Sequence, residues 1–230
     1  MGGTNLDWVN EIETIFSRNR NKKMAIPMEE YMRNQFPYLG IKTPARKKLL
    51  KDFFQASTIL QKPLQHEFVL ALWEKEEREY QYAALFYLEK IKKKLEISSI
   101  ELLETLVTTK SWWDTVDTIA PKLVGHIAIR NPEVITSKMD HWAISNNIWL
   151  RRSALLFQLK YKEQTNEELL LQYIKQNAAE QEFFIRKAIG WALREYSKTN
   201  PQYVKKIMET VPLSSLSIRE GSKYIKKDKG

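Results

Sequence analysis

Apolar residues recur at helical spacing through almost the whole chain. Leu85, Leu88 and Ile91 share one helical face, and Leu155, Leu156, Leu159 and Tyr161 share another. The pattern is interrupted at prolines or short polar runs: Pro37, Pro44, Pro63, Pro121, the RNPEV stretch at 130–134, Ser145 to Asn147, the TNP stretch at 199–201, and Pro212. No segment shows the two-residue alternation of a half-buried strand. The periodicity therefore predicts an all-α chain of helices roughly 10 to 18 residues long, joined by tight connections.

The helices also repeat. Sliding REYQYAALFYLEK (78–90) over WLRRSALLFQLKY (149–161) at an offset of 70 residues aligns Ala84-Leu85 with Ala154-Leu155. Half of that offset reaches TVDTIAPKL, and steps of the same size reach Arg186 in FFIRKAIGWALREY, Arg219 in LSIREGSKYIK and Lys47 in TPARKKLLKDF. The series Lys47, Tyr82, Asp117, Arg152, Arg186, Arg219 advances by 33 to 35 residues. A period of that size predicts stacked helix pairs: an all-α, right-handed solenoid of about six HEAT-like units, forming a single domain over residues 1–230. Corresponding positions of successive repeats then lie along one surface. Most of these positions are polar within apolar helices, which suits a concave basic binding face better than a continuous core.

Charge and composition narrow the function classes. The 230 residues carry 37 Lys plus Arg against 28 Asp plus Glu, a net charge of +9. Basic residues cluster at 42–51, at 90–94 and from Arg219 to Lys229. Each cluster alone reads as a solvated helix face, but together they favour a polyanionic partner, most simply nucleic acid. Cysteine is absent, which removes disulfides, thiolate metal sites and thiol nucleophiles. The three histidines (66, 126 and 141) lack ligand spacing, so no metal and no cofactor are expected. There is no long apolar run and no secretory pattern, which predicts a cytoplasmic protein without membrane association.

Against this basic background, TKSWWDTVDTIAPKLVG (109–125) sets aspartates beside indoles. Trp113 and Asp117 are four apart and share a helical face; Trp191 lies about a turn beyond Arg186 on its own helix. Two readings stand open. Trp113 and Trp191 could be packing residues, with Asp117 a helix cap or the ion-pair partner of Arg152. Alternatively, the indoles wall a pocket in which Asp117 acts electrostatically or as a base. Asp114 reads as an exposed or capping carboxylate, and Trp112 and Trp149, which are out of phase with their neighbours, as core.

The stretches TKSWWDTVD, NNIWLRRSALLFQLKYK, EFFIRKAIGWALREYSKTNP and EEYMRNQFPYLGIKTPARKKLLKD resemble the AlkD family of DNA alkylation-repair glycosylases, which are built from HEAT-like repeats. The resemblance runs from about residue 5 to 227, in order. It implies excision of positively charged N3- or N7-alkylated purines from double-stranded DNA by a monomer that has no conventional pocket for a flipped base. By position, the family's essential aspartate falls on Asp117, its sugar-facing tryptophans on Trp113 and Trp191, and its backbone-binding arginine on Arg152. Tyr31, Thr43 and Lys47 match family positions near the DNA. Lys110, Arg186 and Arg194 are candidate phosphate ligands. Because no lysine is singled out beside Asp117, monofunctional hydrolysis is expected rather than lyase chemistry. The competing expectation is a non-catalytic HEAT-like scaffold that binds DNA or protein.

Overall fold

The computed structural model describes residues 3–225, and among these the secondary structure is helical with no strand. The chain divides into two compact units, one ending at Leu95 and one beginning at Glu96.

The first unit contains α1 (Asn5–Arg18), α2 (Lys22–Tyr31), α3 (Thr43–Ala56), α4 (His66–Glu74) and α5 (Arg78–Ile91). Thr4 caps α1 through a reciprocal box with Asp7, and Trp8, Val9, Ile12 and Phe16 form its buried stripe. α5 is buried along most of its length and packs against α4 and α3. Glu79 is fully buried near its start. Its carboxylate accepts the backbone N–H groups of Leu39, Gly40 and Ile41 at 2.9, 2.9 and 3.1 Å, which fixes the segment that leads into α3. Three donors replace the water this carboxylate loses on burial. Gly40 lies in the left-handed region at φ +87, and a Cβ there would come within 2.0 Å of the Asn21 carbonyl oxygen. Only glycine fits that bend.

The second unit contains α6 (Ile100–Thr108), α7 (Trp113–Ile119), α8 (Gly125–Ala128), α9 (Asp140–Ala143), α10 (Ile148–Leu156), α11 (Glu167–Asn177), α12 (Phe183–Tyr196), α13 (Pro201–Thr210) and α14 (Ser215–Gly221). α7, α10, α12 and α14 pack in succession, each against the next, which is the stacking that a repeat of this length predicts. Several helices are shorter than the periodicity suggests. One reason lies at Pro121, where a break is expected. Proline has no N–H to give the carbonyl of Asp117 four residues earlier. The chain continues instead as a π turn over Ala120–Val124 and runs on into α8.

The repeat now has a structural meaning. Lys47, Tyr82, Asp117, Arg152 and Arg219 are each the fifth residue of their helices, α3, α5, α7, α10 and α14. Arg186 is the fourth residue of α12, one short of the common phase, and the fifth is Lys187.

Two substitutions test the bend at Gly40. Glu79→Gln presents an amide donor to backbone donors and should lose about 2 kcal/mol or more of stability. Gly40→Ala should lose more than about 1 kcal/mol, since strain and collision act together. Chemical denaturation checks both. A midpoint unchanged from wild type for either variant would mean that this bend contributes little.

Candidate functional site

The second unit brings together the residues at the centre of the Trp–Asp motif. Trp113 opens α7 with Asp117 one turn on, and the side chain of Asn147 caps α10 through the N–H groups of Trp149 and Leu150. That cap sets the start of α10, so that Arg152 on its second turn faces Asp117. The guanidinium grips the carboxylate at two points, Nε to Oδ1 at 2.7 Å and Nη2 to Oδ2 at 2.8 Å. Its Nη1 donates to the carbonyl of Phe184 at the start of α12. Arg152 is only 5% exposed and the Asp117 side chain 16%, so the pair is largely dry but still open on one side.

That opening is a cavity of about 310 Å³ lined by Trp113, Asp117, Arg152, Phe183, Phe184 and Trp191, together with Lys187, Arg194 and Glu220. Behind it, Trp112, Trp149 and Phe184 form an aromatic cluster with ring centroids 5.0 to 5.7 Å apart. Burial pushes the Asp117 carboxyl above its ordinary range and the nearby charge of Asp114 adds to this, while the hydrogen bonds and charge of Arg152 oppose it. Both oxygens accept from guanidinium N–H groups, which is the bonding pattern of an ionised carboxylate.

The remaining candidates are dispersed. Arg194 lines the same cavity and donates to Glu220 at 3.2 Å. Arg186 does not line it; the Nε of Arg186 is buried and has no hydrogen-bond partner among the described residues. Lys110 is half-buried in the connection before α7, with its backbone in the left-handed region at φ +49. In the first unit, Tyr31 is 73% exposed at the end of α2, and Lys47 is exposed on α3. Thr43, also exposed, accepts a hydrogen bond from the buried Arg46, whose guanidinium stacks 4.3 Å from the Tyr82 ring. Trp149 is buried as expected of core, whereas Trp112 is half-buried. Asp114 is half-buried in the first turn of α7. The end of the basic run from Arg219 to Lys229 lies outside the described residues.

Four lining residues escaped the sequence reading: Phe183, Phe184, Lys187 and Glu220. Lys187 was within reach, since the 35-residue step from Lys47 through Tyr82, Asp117 and Arg152 lands on it rather than on Arg186. Likewise, 34 residues separate Arg186 from Glu220, yet Arg219 beside it carries the charge expected of the row. Phe184 had no signal, because its contribution is a backbone carbonyl and a ring packed behind the cavity.

A family model described as DNA alkylation repair enzyme matches residues 12–225. Among solved structures, the chain is similar to a predicted DNA alkylation repair enzyme from Enterococcus faecalis. The two are 37% identical over 90% of this chain and 97% of that one, with a TM-score of 0.84. It also resembles AlkD2 from Streptococcus mutans, at 16% identity over 81% and 91% of the two chains, with a TM-score of 0.59. A third similar structure is smu.31 from Streptococcus mutans UA159, at 16% identity over 79% and 92%, with a TM-score of 0.58. At 16% identity the likeness is one of fold. None of the curated proteins matches the chain. Among the described residues, no helix is long and apolar enough to cross a membrane, and no group of three or more His, Asp or Glu could hold a metal ion.

The opposed influences on Asp117 give a measurable sign. In the wild type its carboxyl should titrate above the ordinary aspartate value of about 3.9. In Arg152→Gln it should titrate higher still, because burial and Asp114 then act unopposed. Carbon-detected NMR of the side-chain carboxyls reads both midpoints. A wild-type midpoint below the ordinary value would show that the charge of Arg152 outweighs burial.

Proposed function

The chain belongs to the family of DNA alkylation repair enzymes, and we propose that it is a monofunctional glycosylase, hydrolysing the N-glycosidic bond of positively charged N3- or N7-alkylated purines in double-stranded DNA. One observation carries this reading. A carboxylate gripped on both oxygens lines a cavity together with the indoles of Trp113 and Trp191.

Alkylation at N3 or N7 makes the purine cationic, so it departs with the bonding pair as a neutral base and needs no proton from the protein. When the bond from C1′ to the base nitrogen breaks, positive charge builds on C1′ and the ring oxygen of the deoxyribose, as in sugar hydrolysis generally. Asp117 stabilises that charge and orients a water molecule. The water oxygen bonds to C1′, its proton passes to the carboxylate or to solvent, and an abasic sugar remains. Indole faces beside the sugar add cation–π attraction of about 0.5 to 2 kcal/mol each. The chemistry calls for neither a metal nor an organic cofactor, since the lesion brings its own leaving group.

Arg152 has two opposing effects here. It holds the carboxylate ionised and oriented, and it also offsets part of the negative charge the sugar would meet. Each Asp117 oxygen keeps a second lone pair for water or for the developing cation. The scaffold alternative draws on the same ion pair, because a carboxylate satisfied on both oxygens is also what structural packing would produce.

Release of 7-methylguanine from a defined duplex separates the two. Wild type should release it, and Asp117→Asn should be slower by about 10² to 10³ with duplex binding kept. Trp113→Ala and Trp191→Ala should each slow release by about tenfold. Neutral O6-methylguanine should stay in place. Equal rates for the neutral and cationic lesions would sink the electrostatic account, and duplex binding without any release would establish the scaffold.

A further inference from the structure

Three charged residues line the Asp117 cavity without a part in the bond-breaking step: Lys187, Arg194 and Glu220. On α12, Lys187, Trp191 and Arg194 fall at i, i+4 and i+7, so the two cations flank the indole on its own helical face. Glu220 comes from α14, and its side chain is 9% exposed. Its carboxylate accepts from Lys187 at 3.1 Å, from Arg194 at 3.2 Å and from Lys223 at 2.7 Å. The hydrogen bond from Lys223, with that from Lys187 and the charges of both lysines, holds its pKa down to about 2 against the opposing effect of burial.

The position of Glu220 is tightly fixed. A Cβ on Gly190 would come within 2.6 Å of the Glu220 Cβ, so the absence of a side chain there is what lets α14 approach. A Cβ on Gly221 would meet Leu193 at 3.0 Å, and the Ser217 hydroxyl donates to the Arg186 carbonyl at 2.9 Å. One carboxylate thus faces three cations, and the cluster retains a net charge of +2 (three minus one). A structural staple needs only one cation. The surplus, on side chains 36% and 26% exposed for Lys187 and Arg194, is left for an anion outside the protein.

We propose that Glu220 is a positioning residue that holds Lys187 and Arg194 as a two-pronged clamp for one backbone phosphate, adjacent to the nucleotide whose sugar meets Asp117 and Trp191. The inference rests on the proposed glycosylase reading for what occupies the cavity. Long Lys and Arg side chains lose rotamer freedom when they bind; a buried acid that orients them beforehand reduces that loss and aims both at the same place.

The full chain is tested by measuring its affinity for duplexes that carry a central tetrahydrofuran abasic analogue. In each duplex one phosphate near the analogue is replaced by a neutral methylphosphonate. Wild type should lose about tenfold in affinity at one linkage. Lys187→Ala and Arg194→Ala should each show less than about threefold at that linkage, with a shallower dependence of affinity on salt. Glu220→Gln removes no cation, so its salt dependence should stay near that of wild type, while its linkage-specific loss should also fall below about threefold. A purely structural Glu220 would lower the melting temperature and leave that loss intact. If the loss is the same in wild type and both alanine variants, the clamp is overturned; if Glu220→Gln keeps the full loss, its positioning role is. Release of 7-methylguanine is scored separately. No release with a loss that depends on Lys187 keeps the clamp and sinks the glycosylase reading, and release without such a loss does the reverse.

Discussion

A bidentate ion pair between Asp117 on α7 and Arg152 on α10 is the interaction around which the second unit's cavity is organised. Its partners come from successive stacked helices, and Arg152 reaches a third through the Phe184 carbonyl. One guanidinium therefore ties α7, α10 and the start of α12. Buried pairs of this kind add little net stability, because desolvation offsets most of the attraction, but losing one partner leaves an uncompensated charge at a cost of about 3 to 5 kcal/mol. The constraint is one of geometry more than of stability: the carboxylate has one orientation available. It is the orientation that opens on the cavity.

The surroundings reinforce that constraint from behind and from the side. Trp112, Trp149 and Phe184 pack as an aromatic cluster whose Phe184 ring lies 5.9 Å from the Arg152 guanidinium, and low local polarity strengthens the charge interactions beside it. The proline that follows Asp117 by one helical turn leaves the Asp117 carbonyl without its α-helical donor, and the helix widens into a π turn at that point. Further along, Gly190 admits α14 against α12, and with it the carboxylate of Glu220. The cavity thus has an acid at each of two places, and both acids are engaged by cations from other positions in the stack.

The same logic operates in the first unit. Glu79 is as buried as Arg152 and is satisfied by three backbone N–H groups rather than by a guanidinium. Its work is to shape the chain leading into α3, the helix that begins at Thr43 and carries the exposed Lys47. Arg46, one residue before Lys47, is held under the surface by the Ile41 carbonyl, Thr43 and the face of Tyr82. Neighbouring cations in the sequence therefore have opposite fates. Arg46 is structural, and Lys47 is free to face solvent.

The sequence by itself determined the all-helical class, because the 3.6-residue periodicity of apolar positions depends only on local geometry. It also determined the repeat, because each stacked pair must bury an equivalent face and so recurs at about 35 residues. That step alone aligns Asp117 with Arg152, and the tryptophan spacing puts Trp113 on the face of Asp117. What it could not decide was partnership. Whether Arg152 spends its donors on a carboxylate or on something outside, whether Lys187 or Arg186 turns toward the cavity, and whether Glu220 is buried among cations or solvated like Arg219 all depend on how helices far apart in sequence are rotated against each other. A one-residue shift in helical phase turns a side chain by about 100°, and only the packing of α12 on α10 and α14 sets that rotation.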